Sequence, residues 1–154
     1  MIDPVSSETP VFVDTNVLLY RFDDLNPDKQ QRARDWFSAL WHGGAGRLSW
    51  QVVFEFYANA TRKSKLAPDI ARTAVSGLLQ WEPELPGPPA LERAWHWYDT
   101  AQINFWDALI VASAEQAGCR WLLSEDFQAG RKFGQLTVVD PFEHAPSEFG
   151  LADR

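Results

Sequence analysis

Pro10-Val11-Phe12-Val13-Asp14-Thr15-Asn16-Val17-Leu18-Leu19-Tyr20 decides the fold of this chain. The segment Val11-Phe12-Val13 is a short, continuously apolar run rich in β-branched residues, which predicts a strand buried on both faces. It ends at Asp14-Thr15-Asn16, a cluster of side chains that accept hydrogen bonds from the free N–H groups opening a helix. A buried strand running directly into a helix is the unit from which parallel α/β sheets are built.

Outward from there, helices and strands alternate. Ala33, Trp36, Phe37 and Leu40 follow the i, i+3, i+4, i+7 spacing of an amphipathic helix over Pro27 to Trp41, which the glycines from Gly43 to Gly46 stop. Arg47 to Trp50 is a candidate strand, Gln51 to Arg62 a helix, and a further helix follows Pro68-Asp69 to about Trp81. Glu82 to Pro89 is too rich in proline for regular structure, yet only of loop length, and is no domain boundary. Pro89 to Gln102 and Asn104 to Gln116 predict two more helices, the second with Asn104 as N-cap and Asp107 at its third position, ending at Gly118. Arg120 to Ser124 and Leu136 to Val139 restore the strand pattern across a polar turn. The expectation is one three-layer α/β/α domain spanning 1–154, with a mainly parallel sheet and an ordered core over about 10–143.

Composition narrows the function. The chain has 154 residues, 45% of them apolar, enough for a core of its own. The start MIDPVSSETP lacks the basic and apolar regions of a secretion signal, and no apolar run approaches the roughly 20 residues of a membrane span, so a cytoplasmic protein is expected. Cys119 is the only cysteine, which excludes disulfide frameworks and multi-cysteine zinc sites, and its apolar surroundings suggest a buried thiol. His42, His96 and His144 have no ligand-like spacing. The glycine-rich run before Arg47 lacks a Gly-Lys-Ser/Thr ending and precedes a strand, so it reads as a helix stop and not as a phosphate loop.

Four acids carry the chemistry. In open parallel sheets, ligands gather beyond the carboxyl ends of the strands. Asp14 closes the first strand and Asp126 follows the strand ending near Ser124, while Asp107 lies in a first helical turn that can open at the same edge. Glu55 interrupts the apolar run Val52 to Tyr57, where an unpaired carboxylate would cost several kcal/mol. Carboxylates brought close together repel unless a cation neutralises them, and all-oxygen ligation suits Mg²⁺ or Mn²⁺. The net charge of −7 argues against a nucleic-acid partner. With the four site acids neutralised by two divalent cations, however, the net charge would fall from −7 to about −3 and the local field at the site could reverse. Arg62-Lys63-Ser64-Lys65 and Arg131-Lys132 are local basic groups, more often plain surface than binding sites.

Val11 to Tyr20, Glu55 in QVVFEFYANATRK, Asp107 in FWDALIVASA, and Asp126 in LLSEDFQAG followed by LTVVDPF together resemble the PIN-domain ribonucleases, and among them the VapC-type toxins of bacterial toxin–antitoxin pairs. The resemblance covers nearly the whole chain and is weakest between Leu66 and Gln102. It implies a metal-dependent endoribonuclease that hydrolyses RNA phosphodiesters to 5′-phosphate and 3′-hydroxyl ends, with Asp14 and Asp107 as central ligands of Mg²⁺ or Mn²⁺. Asp126 would complete the site and Glu55 would act directly or through water, with Thr15, Asn16 and Ser124 as polar helpers. It further implies a cognate antitoxin and a homodimer. Glu125 stands beside Asp126 and leaves a choice of acid, in which the Ser-x-Asp register from Ser124 favours Asp126. An aspartyl-phosphate phosphotransfer domain, or a silent binding module of the same architecture, is the competing reading; the first would want an acid where Asn16 stands.

Trp36, Trp81, Trp95 and Trp121 fall in apolar patterns and are expected in the core. Trp50 and Trp106, flanking the Glu55 helix and Asp107, are candidates for a substrate or partner groove. The aromatic groups around Trp36 to Trp41 and Trp95 to Trp97 read as interface or core.

Overall fold

The computed structural model describes residues 10–151. The N-terminal segment read above for targeting signals lies outside the described residues. No described helix is long and apolar enough to cross a membrane.

Val11–Val13 forms β1, buried throughout, and Thr15–Tyr20 forms α1 directly after it. The remaining elements are α2 (Pro27–Gly43), β2 (Gly46–Arg47), α3 (Trp50–Arg62), α4 (Pro68–Leu78), α5 (Pro88–Ala101), α6 (Phe105–Gln116), β3 (Trp121–Leu123), β4 (Lys132–Phe133) and β5 (Leu136–Val139). Short 3₁₀ turns follow α4 and close the described chain at Pro146–Phe149. The sheet order is β2-β1-β3-β5-β4. Every pairing is parallel except β4 with β5. The chain passes from β1 outward to β2 and then returns to place β3 on the other side of β1. That reversal opens a crevice between the carboxyl ends of β1 and β3, the usual ligand position in such sheets. The three-layer α/β/α expectation with a mainly parallel sheet holds.

The core is continuous from β1, β3 and β5 to helices α2, α3, α4 and α6, with Phe12, Trp36, Phe56 and Phe133 among its largest fully buried side chains. Trp36 also spans to the end of the chain: its indole N–H donates to the carbonyls of Pro141 (3.0 Å) and His144 (2.9 Å). Packing continues past residue 143 to Phe149 and Leu151, both buried. A second apolar cluster of Ala90, Ala94, Ala108, Leu109 and Ala112 joins α5 to α6.

Several expectations shift. The strand expected over Arg47 to Trp50 shortens to Gly46–Arg47, because Ser49 bridges to Glu84 and not to β1, and Trp50 already opens α3. Glu84, in the proline-rich loop, forms a bridge with Ser49, accepting from Trp50 N–H (3.0 Å) and donating to Leu48 O (2.9 Å). β4 was read as polar turn; it is an antiparallel edge strand that buries Phe133 and leaves Lys132 exposed, a charge that discourages edge-to-edge pairing. Trp95 is not in the core but 52% exposed. The buried face of α5 is made of Ala90 and Ala94, whose small side chains let α6 approach closely and turn Trp95 outward. Trp81 and Trp121 are only partly buried, packed against the core. Trp81 stacks on Phe37 with centroids 5.1 Å apart, and its ring lies over Gly46, where a Cβ would come within 2.4 Å of it.

Candidate active site

The crevice between β1 and β3 is built from the Asp14 carboxylate. Asp14 is the N-cap of α1: its Oδ1 accepts from Thr15 N–H (2.7 Å), so the strand-to-helix junction itself fixes the side chain. Ser124, just past β3, donates its hydroxyl to Asp14 Oδ2 (2.7 Å). The Asn16 amide donates to the same oxygen (3.3 Å) and to Ser124 Oγ (3.2 Å). The register that pairs Val13 with Leu123 makes this possible, and Asp14 N–H continues it by donating to Leu123 O (3.0 Å). Asp14 is only 5% exposed. Burial pushes its carboxyl up to about 7, against the lowering effect of the Ser124 and Thr15 hydrogen bonds and with the charges of Asp126 and Glu55 adding to the rise.

Glu55 arrives through helix packing. Helix α3 packs on α1, and Thr15 donates its hydroxyl to Glu55 Oε2 (3.0 Å). The other oxygen accepts from the amide of Gln51 (3.0 Å), one turn earlier on α3, and that same amide also donates to the carbonyl of Trp106 (3.2 Å). Gln51 therefore ties α3 to the start of α6. The sequence reading missed it, although its i, i+4 spacing to Glu55 was the available signal.

Asp107 stands at the third position of α6. Its N–H donates to Asn104 Oδ1 (2.9 Å) while the Asn104 amide donates to Asp107 Oδ2 (2.9 Å), a reciprocal cap that orients the carboxylate. Its carboxyl is raised by burial first and by the Asp126 charge next, with the Asn104 bond opposing and Glu55 adding. Asp126 is exposed, and its backbone N–H donates to Ser124 Oγ (3.1 Å). Its charge acts on both Asp14 and Asp107, so it faces the same space. Glu125 is drawn elsewhere: Tyr20 donates to it (2.8 Å) and Lys29 pairs with it (2.5 Å).

Asp14, Glu55, Asp107 and Asp126 thus share one electrostatic neighbourhood at the carboxyl edge of the sheet. Among the described residues, no three acidic, imidazole or thiol groups are drawn close enough to enclose an ion. The donor set nonetheless suits a hard divalent cation: four carboxylates, two of them raised by burial and by the charges of Asp126 and Glu55, and among the described residues no cationic side chain bonded to any of the four. The neutral groups Thr15, Asn16, Gln51, Asn104 and Ser124 hold the acids in place. Cys119 is buried with its thiol raised to about 12, which leaves it protonated and inert.

Comparison with known proteins bears on the family and the fold. A family model described as PIN domain matches residues 11–132. Among solved structures, the chain is similar to the crystal structure of Mycobacterium tuberculosis VapC20, described as a sarcin–ricin loop cleaving toxin. The TM-score is 0.55 at 18% identity, covering 75% of this chain and 89% of that one. No curated protein sequence matches the chain significantly.

Proposed function

Because the chain belongs to the PIN-domain family, a nuclease family, we propose that it is a Mg²⁺- or Mn²⁺-dependent endoribonuclease acting as the toxin of a VapBC-type toxin–antitoxin pair in the cytoplasm. The observation that carries the reading is the gathering of Asp14, Glu55, Asp107 and Asp126 at the β1/β3 crevice, the first three held by neutral partners and, among the described residues, none of the four paired with a cation.

Asp14, Asp107 and Asp126 would hold the cation, with Glu55 bound directly or through water. When bound, the cation supplies a water acidified enough to give hydroxide near neutral pH and stabilises charge developing on the phosphate. The protein's own residues prepare that site. Ser124 and Thr15 N–H hold Asp14 with both oxygens engaged and its orientation fixed. Thr15 and Gln51 do the same for Glu55, and Asn104 for Asp107. These bonds orient Asp14, Glu55 and Asp107 before a cation arrives, and the cation would draw the carboxylates the rest of the way together. Asn16, bonded to Asp14 and Ser124, occupies the place where a phosphotransfer domain would need its second acid, which disfavours that alternative.

A cognate antitoxin that covers the acidic site and a homodimeric assembly belong to the same reading. The test is cleavage of RNA by the purified protein in Mn²⁺ and in EDTA, with the ends mapped. Metal-dependent internal cuts bearing 5′-phosphates, abolished in Asp14→Asn and Asp107→Asn with the fold retained, support it. Undiminished cleavage by both variants overturns it. Growth arrest on expression, relieved by Asp14→Asn, tests the toxin role separately.

A further inference from the structure

A cleft of about 450 Å³ opens beside the carboxylates, lined by Trp50, Gln51, Phe54, Glu55, Leu85 and Trp106 among others. Its aromatic walls are unusually open to solvent: Phe54 is 65% and Trp106 61% exposed. Trp50 and Phe54 lie one turn apart on α3 with ring centroids 5.8 Å apart. The cleft is continuous with the candidate active site, since Glu55 belongs to both and Trp106 adjoins Asp107. Gln51 is only 9% exposed, and its Oε1 has no hydrogen-bond partner although its amide N–H groups are used by Glu55 and Trp106. A buried acceptor left unpaired costs about 1–3 kcal/mol, so the site is incomplete as it stands.

We propose that this cleft is a nucleobase subsite, in which one unpaired base of a single-stranded RNA stacks against Trp106 and Phe54 and offers an edge N–H to Gln51. The proposal rests on the ribonuclease reading above. Flat aromatic faces suit any base, whereas the cleft carries no cation to receive a phosphate. A base lodged there sets its own phosphate beside Glu55 and Asp107.

A second cleft, of about 700 Å³, favours RNA over a polypeptide as the occupant. It adjoins the carboxylates at Asn16 and is lined further along by Lys63, Ser64 and Lys65. Neither lysine has an ion-pair partner among the described residues. Asp23 and Asp24 share that cleft and keep their charges, their oxygens held by the neutral donors Leu25 N–H, Asn26 and Gln30 and not by the two lysines. Gln51 and Lys63 are separated by most of α3, about 18 Å at the helical rise per residue. A strand laid across the carboxylates would therefore meet an aromatic platform at one end of α3 and free ammonium groups at the other, matching a polymer of planar bases and regular anions.

The experiment uses the full chain in Mn²⁺ with a short single-stranded RNA and a matched set carrying one abasic site at each position in turn. Trp106→Ala and Phe54→Ala alter exposed side chains, and circular dichroism verifies their folds. Each is expected to raise KM by about fivefold to 150-fold with kcat nearly preserved, the loss associated with one stacked base. Trp106→Phe should recover most of it. One abasic position should reproduce the loss in the wild type and add nothing in Trp106→Ala. Unchanged KM in both alanine variants, or an abasic series cleaved like the parent, overturns the subsite while leaving the ribonuclease reading intact. Variants that keep KM but lose a partner protein identify the cleft as a protein-docking surface and likewise overturn it. Absence of any cleavage by the wild type removes the ribonuclease reading and the subsite together.

Discussion

Replacing Asp14 by Asn should make the metal-free protein more stable at about pH 8 while destroying its metal response. Burial raises the Asp14 carboxyl from 3.8 to about 7, roughly three units of about 1.4 kcal/mol each, so keeping it ionised in the folded state costs about 4 kcal/mol. The sign follows from the direction of the shift. The folded state binds the proton more tightly than the unfolded chain, so the stabilisation is complete below about pH 4 and is lost as pH rises through about 7. Asn carries no charge and keeps the bond from Thr15 N–H. Its NH₂ group, however, meets the Asn16 amide and a Ser124 hydroxyl that now donates to a carboxylate oxygen. Losing those two bonds returns about 1–2 kcal/mol. The net gain is about 2 kcal/mol, or about 4–8 °C in Tm for a domain of this size. Calorimetry in EDTA across the pH range reads it directly: the variant melts higher at about pH 8, and its advantage vanishes or reverses near pH 4. Saturating Mn²⁺ should raise the wild type and leave the variant unmoved. A wild type that melts above Asp14→Asn in EDTA at high pH would refute the reasoning, because Asp14 would then not be a destabilising buried charge.

Two further substitutions probe the supports of the site and of the sheet. Ser124→Ala removes the hydroxyl that donates to Asp14 and accepts from Asn16 and Asp126 N–H; it should cost about 1–3 kcal/mol in stability and move the pH–rate profile to higher pH, since Asp14 loses a bond that favours its ionised form. Gly46→Ala would place a methyl within 2.4 Å of the Trp81 ring; displacing that ring from Phe37 and Trp41 should cost about 1–3 kcal/mol, read by urea denaturation and by a change in tryptophan emission.

How much of this was legible depended on the range of the cause. Asp14 and Asp107 could be read because the signals are local: a β-branched run meeting a cap residue, and Asn104 three places before an acid. Glu55 stood out as an acid in an apolar run, but what brings it to the sheet edge is the packing of α3 on α1 and the Thr15 hydroxyl, 40 residues away. The choice of Asp126 over Glu125 rested on register. The fold adds Tyr20 and Lys29, 105 and 96 residues distant, which engage Glu125, while the charge that acts on Asp14 is that of Asp126. β4 escaped notice because two residues are too few to show a period. Trp95 misled because an apolar pattern does not say which face is closed by small residues, and on α5 that face is Ala90 and Ala94. Trp50 and Trp106 were singled out from sequence position alone; that they bound one cleft with Phe54 required the fold.

Calorimetric titration of Mn²⁺ into the wild type, Asp107→Asn, Asp126→Asn and Glu125→Gln tests the central claim most directly, because it asks which carboxylates hold the cation without passing through RNA or a partner. The account predicts binding by the wild type and by Glu125→Gln with similar affinity, and a loss of tenfold or more in both Asp variants, about 1.4 kcal/mol each at the least. Equal affinity in all four proteins, or no Mn²⁺ binding by the wild type, would contradict it.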